Sequence, residues 1–305
     1  MEDFVHLSVH THYSKFSGVS GIKELVDKAI SCDMRGMAIT DNVNMCGIKD
    51  FDDYVRRINK QRKNEGLEPF KPIFGCDLFV VAVVKKVQKA DYIETFGCNT
   101  IVLAKNLQGY RNLVNLVSSY GNDDWNWPIE LDVLEKYHEG LIVCSGQDMQ
   151  QLVHENDEAG IRKTIEWYQN LFGDDFYLEL QRHEVKNPSI RADRRIYDFE
   201  ERDNAVLIRM AKEYAIKLVA TNGVLYTNEE DAEVHDRKIL CEFIRCNYDD
   251  DNRSFLTKQE WLKSREEMNE VFQDVPEALS NTMEILDKVG SYSIDHDELL
   301  LPPRH

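Results

Sequence analysis

No apolar run in this 305-residue chain is longer than the seven residues of Leu78–Val84, far short of the ~20 that a membrane-spanning helix needs. Met1 leads directly into Glu2 and Asp3, without the basic start and long apolar core of a secretory signal. A cytoplasmic protein with no membrane association is therefore expected. Positive charge is scarce: Lys and Arg number 37 against 55 Asp and Glu, a formal charge of −18. Such a chain repels polyphosphate and is poorly suited to holding bare DNA by itself. The seven cysteines (Cys32, Cys46, Cys76, Cys98, Cys144, Cys241 and Cys246) are odd in number and lack any Cys-x-x-Cys, so reduced, mostly buried thiols are expected. No Gly-x-Gly-x-x-Gly follows the first apolar run, which removes support for a dinucleotide-binding open sheet.

What is present is a core-building pattern. Hydrophobic residues make up 42% and charged residues 30%, enough for one large domain or two ordinary ones. Seven short apolar runs read as strands: Phe4–Val9, Gly36–Thr40, Lys71–Gly75, Thr100–Ala104, Leu141–Ser145, Phe176–Gln181 and Lys217–Thr221. Their near-continuous apolarity suits parallel strands covered by helices. Helical periodicity falls between them at Ile22–Cys32, Ile48–Asn64, Leu107–Ser119, Glu158–Phe172 and Ala205–Tyr214. This α/β alternation favours a β/α barrel over a doubly wound sheet. Beyond Tyr226 the texture becomes helical and acidic. Thr227 with Glu230, Thr257 with Glu260 and Ser264 with Glu267 have capping-box spacing, and Pro276 precedes a helical stretch at Glu277–Val289. The division is a barrel at 1–226 and a helical extension at 227–305.

Reactive groups of a β/α barrel belong at the C-terminal ends of its strands. His10 and His12 follow the first strand, and alternate residues of an extended segment share a side, so both imidazoles could face one Zn, Mn or Fe ion. Two histidines hydrogen-bonded within a barrel mouth are the structural alternative. Asp41 after Thr40 and Asp77 after Cys76 could each ligate a metal or cap a turn. Arg56, Arg57, Lys60, Arg62 and Lys63, like Arg191, Arg194 and Arg195, read as solvated helix faces rather than a DNA contact. Trp125 and Trp127 beside Pro128 read as a surface loop.

Several segments are familiar together: Phe4-Val5-His6-Leu7-Ser8-Val9-His10-Thr11-His12-Tyr13-Ser14, Ala38-Ile39-Thr40-Asp41, Gly109-Tyr110-Arg111-Asn112-Leu113, Tyr177-Leu178-Glu179-Leu180-Gln181-Arg182-His183, Val219-Ala220-Thr221-Asn222 and Asp274-Val275-Pro276-Glu277-Ala278. From about Phe4 to Pro302 the chain resembles the N-terminal polymerase-and-histidinol-phosphatase (PHP) domain of bacterial replicative DNA polymerase III alpha subunits. The resemblance implies a distorted seven-stranded TIM-like barrel whose mouth, in active members, holds up to three metal ions with nine side chains. Of those nine, His10 and His12 persist and Asp77 is a shorter stand-in for Glu. Ser17, Asn42, Asn99, Gln147, Gly223 and Leu225 occupy the other positions.

Asn and Gln are weak ligands, and Gly and Leu offer none. One Zn, Mn or Mg ion on His10, His12 and Asp77, with Asp41 nearby, is the most that the set could hold, and no tightly bound ion is expected. The resemblance further implies a catalytically inactive module of a DNA-directed DNA polymerase (a nucleotidyltransferase in DNA replication). Its partners would be the rest of the alpha subunit and the proofreading exonuclease, with DNA reached only through the full polymerase. A metal-dependent phosphoesterase with a reduced site is the alternative. From the charge alone, this chain should bind duplex DNA more weakly than micromolar at physiological salt, measurable by fluorescence anisotropy; submicromolar binding would disprove it.

Overall fold

The computed structural model describes residues 1–14, 17–89, 92–120, 128–145, 147–190, 192–245 and 257–295. Trp125, Trp127, Arg191, Cys246 and the closing Leu300–Pro303 lie outside them, as does the side chain of Gln147. Six strands form one curled, half-barrel sheet in sequence order: β1 (Gly36–Ile39), β2 (Lys71–Lys89), β3 (Tyr92–Ala104), β4 (Leu141–Ser145), β5 (Phe176–Gln181) and β6 (Lys217–Thr221). Among the described residues ten α-helices accompany them: α1 (Ile22–Ser31), α2 (Ile48–Asn64), α3 (Leu107–Ser118), α4 (Leu131–Lys136), α5 (Gln147–His154), α6 (Glu158–Phe172), α7 (Arg195–Tyr214), α8 (Ala232–Arg245), α9 (Arg265–Val271) and α10 (Glu277–Lys288). β1 and β4 are buried along their whole length, as apolar strands with both faces covered must be.

The mixed α/β class agrees with the sequence reading, but the strand arrangement departs from it in two ways. Phe4–Val9 does not form the expected seventh strand. It runs extended beside β1, where the Ala38 and Thr40 amides donate to the His6 and Val9 carbonyls, and beside Val224, which donates to Ser8 and accepts from His10. These bonds are too scattered for a ladder; only an isolated bridge joins Val9 to Val224.

The sheet is also not all parallel. β2 runs on through the apolar stretch expected to lie beyond it and pairs antiparallel with β3, which pairs antiparallel with β4; the other pairs are parallel. No helical period separates Gly75 from Thr100, so the chain returns as a long hairpin rather than by a crossover. The helix α7 begins at Arg195 rather than Ala205, and α4 and α5 were not anticipated. Of the six described cysteines, none of them in a disulfide, only Cys76 and Cys144 are fully buried, so burial of most thiols is not observed.

The extension carries one of the three expected capping boxes. At α9 the Ser264 side chain accepts from the Glu267 amide, and Glu267 accepts from the Ser264 amide. Thr257 donates from both its amide and its hydroxyl to Glu260 without a helix, and Thr227 donates instead to Ser20. Helix α10, entered through Pro276, lies across the N-terminal ends of the parallel strands. The Thr282 hydroxyl accepts from the Val5 amide, Asn281 donates to the Leu218 carbonyl, and Lys71 at the start of β2 donates to the Leu286 carbonyl. A Cβ on Gly36 would fall 2.6 Å from the Leu286 side chain, so glycine at the head of β1 lets the helix seat closely. Ala278, Leu279, Ile285 and Leu286 belong to the same apolar cluster as Phe4, Met37 and Leu178. Leu286→Ala should cost about 2–5 kcal/mol in urea unfolding and leave a single transition, because α10 and the sheet share one core.

Candidate functional site

At the opposite end, where the parallel strands finish, a cavity of about 240 Å³ opens among Asp77, Glu179, Gln181 and His183. Larger cavities of about 780 and 510 Å³ lie elsewhere, the first between α2 and the segment after α10, the second between Arg182 and Trp261. Their charges are largely spent on ion pairs and backbone contacts, such as Arg56 with Asp52, Arg62 with the Glu68 carbonyl and Arg182 with Asp274. The small cavity holds the densest set of buried titratable groups.

Of the four residues read as candidate ligands, His10 and Asp77 meet in the mouth, and Asp41 and His12 do not line it. His10 is buried; Nδ1 lies 3.3 Å from the Val224 carbonyl and Nε2 3.3 Å from Asp77 Oδ2. Burial opposes protonation of His10, but the hydrogen bond and charge of Asp77, with Asp41, outweigh it and raise its pKa. Asp77 Oδ2 also accepts from Asn99 Nδ2 at 3.0 Å. Asp41 is consumed by the segment that follows His10: it accepts from the Thr11 amide at 2.6 Å, the Thr11 hydroxyl at 2.9 Å and the Ser14 hydroxyl at 2.7 Å. These bonds turn the chain after His10, so the strict alternation assumed for His10 and His12 ends there. His12 is exposed, stacks on Tyr13 and does not line the cavity.

Of the replaced positions, Asn42 donates to Ser17 at 2.6 Å, and Gly223 sits at φ 48°, a left-handed conformation that glycine adopts without strain. Leu225 adds an apolar wall. Among the described residues no three His, Cys, Asp or Glu side chains are grouped to hold an ion. The donor set does not fit a metal cluster.

The sequence alone assigns no role to Glu179 or Lys263, and to His183 only a hydrogen bond across the mouth. Glu179 on β5 is buried and accepts from Thr221 and from Gln181 Nε2 at 3.0 Å; burial, with a further push from Asp77, raises its pKa to about 7. Its signal was an acid inside an otherwise apolar strand, a position where an acid is rarely buried without a partner. His183 donates from Nε2 to the Asn222 carbonyl at 3.1 Å and pairs through Nδ1 with Glu200 on α7. Burial opposes its protonation, yet Glu200 raises its pKa. Lys263, lowered by burial to about 8, donates to Asn222 Oδ1 at 3.1 Å and to the Gln259 carbonyl, with its ammonium 3.8 Å from the Trp261 ring centroid. The segment around Thr257–Lys263 is thereby fixed against the mouth.

This chain, with its curled parallel-and-antiparallel sheet and a mouth lined by histidines and acids, belongs to the PHP domain family: the PHP domain profile matches residues 6–183. The relatives are more particular. The DNA polymerase III alpha subunit of Borreliella burgdorferi is 36% identical over 98% of this chain and 25% of its own length. That of Campylobacter jejuni is 33% identical over 94% and 23%. The chain thus spans about a quarter of the length of these curated relatives. A solved structure described as a metal-dependent phosphoesterase from Bifidobacterium adolescentis overlaps 79% of this chain and 96% of its own at 12% identity, with a TM-score of 0.30, too loose to bear on the site.

The raised Glu179 pKa has a stability consequence. Between about 4.5 and 7 the folded chain binds this proton more tightly than the unfolded chain, so stability falls as pH rises through that window. Glu179→Gln should therefore stabilise the protein by about 1–3 kcal/mol at pH 8 and by little at pH 5, read from urea midpoints at both values. Equal effects at the two pH values would refute this assignment.

Proposed function

We propose that this chain is the N-terminal PHP module of a bacterial replicative DNA polymerase III alpha subunit, acting in DNA replication as a structural and interaction module without hydrolytic activity of its own. In this proposal residues 1–226 are the barrel and residues 227–305 the extension that leads to the polymerase core. The partners are the remainder of the alpha subunit and the proofreading exonuclease subunit, with DNA reached through the full polymerase in the cytoplasm. The observation that carries the assignment is likeness to alpha subunits along nearly the whole chain rather than along the barrel alone.

The composition of the mouth supports inactivity. Metal-assisted phosphoester hydrolysis needs ions held by several anionic or imidazole ligands, with a position left open for water. Ser17, Asn42 and Asn99 are neutral, Gly223 and Leu225 bring no side-chain donor, and Asp41 is already occupied by Thr11 and Ser14. His10 and Asn99 both bond to Asp77 Oδ2. We assign no resident metal to His10, His12, Asp77 and Asp41.

The competing function is a metal-dependent phosphoesterase acting as an exonuclease, pyrophosphatase or small-molecule phosphatase. With a chromogenic phosphate monoester and a labelled single-stranded oligonucleotide, in the presence of Mn or Zn, the protein should give the same background as its His10→Ala/His12→Ala variant. Turnover at least tenfold above that variant would replace the scaffold assignment with the phosphoesterase.

A further inference from the structure

The barrel mouth has more hydrogen-bond acceptors than donors. Asp77 is only 6% exposed; His10 and Asn99 occupy its Oδ2, while its buried Oδ1 has no hydrogen-bond partner among the described residues. Asn42 is bridged to Asp77 through the backbone and spends its amide group on Ser17, and its own buried Oδ1 has no hydrogen-bond partner among the described residues. Across the cavity, Glu179 takes up the donors of Gln181 and Thr221 and is close enough to Asp77 to feel its charge. A buried acceptor left without a donor is costly, most of all on a carboxylate, and a species that supplies both charge and N–H groups would relieve that cost.

We propose that this mouth receives a protonated nitrogen group, an alkylammonium or guanidinium, that donates to Asp77 Oδ1 and Asn42 Oδ1. The cavity, about 240 Å³, admits such a group with a short aliphatic stem. A divalent metal fits the same surroundings less well, because it needs several anionic or imidazole ligands converging at about 2 Å, whereas an N–H fork is satisfied by a carboxylate and an amide oxygen at about 3 Å. The inference goes beyond the module function and does not depend on it.

The test uses the 305-residue protein, with n-butylguanidinium and n-butylammonium chloride as probes and tetramethylammonium chloride, which carries the same charge but no N–H, as the control. In calorimetric titration the two donors should bind, and the control should give only the diffuse attraction expected of a chain with −18 formal charge. Asp77→Asn should weaken binding about tenfold or more, and Asn42→Ala, which leaves the His10–Asp77 contact in place, should weaken it independently. A blocked Gly-Arg-Gly peptide separates the two sources. Binding at least as tight as the free guanidinium points to a side chain presented by a partner, and exclusion of the peptide points to a free small cation. Equal binding of tetramethylammonium, unchanged binding in both variants, or an Asp77-dependent response to Mn²⁺ with none to the organic cations would overturn the proposal.

Discussion

An open six-stranded sheet has two edges, and an unpaired edge is an invitation to pair with another chain. Here the N-terminal segment meets the β1 edge and the backbone that follows β6. Phe4–Val9 lies between β1 and the backbone around Val224, giving carbonyls to Ala38 and Thr40 on one side and exchanging hydrogen bonds with Val224 on the other. That seam fixes much else. It delivers His10 to the mouth, where Nδ1 and the backbone amide both reach the Val224 carbonyl, and it places Thr11 and Ser14 around the Asp41 carboxylate. It also brings the Val5 amide to Thr282 at the other end of the sheet.

Most of the strand and helix positions were legible, because apolar runs and 3.6-residue periodicity report burial directly. What escaped depended on partners. Whether Phe4–Val9 becomes a strand is decided by what runs beside it, and the chain past β6 turns at Gly223 before a ladder can form. The β2–β3 hairpin was hidden because strand continuation and strand end look alike in a long apolar stretch. At the site, residue types were readable but directions were not. The His10-x-His12 spacing promised two imidazoles on one side, and three hydrogen bonds into Asp41 turn the chain between them. Glu179 and His183 stood in plain view within a familiar segment, yet their roles come from Thr221, Glu200 and Asn222, which are distant in sequence.

The chemistry of the mouth follows from exchanging charge for hydrogen bonding. A cluster of carboxylates and imidazoles facing one another is stable only when cations or protons neutralise it. In this chain neutral side chains thin the cluster, and the acids that remain are met by histidines: Asp77 by His10 and Glu200 by His183, each pair raising the pKa of its imidazole. Glu179, lacking such a partner, is left with its proton held to about pH 7. The barrel end is thus held by internal contacts.

The floor made by α10 bears on how the chain is built as it leaves the ribosome. Val5 and Thr282 are 277 positions apart, and Glu2 bonds to Asn269 over almost the same separation. Translation at about 5–20 residues per second puts roughly 14–55 s between the emergence of those partners. Throughout that interval Phe4, Leu7 and Met37 have no helix beneath them, and the growing chain exposes one end of an unfinished core. Topologies that join the first segment to the last close late and slowly. The nascent barrel therefore depends on whatever shields that open end until its last helix arrives.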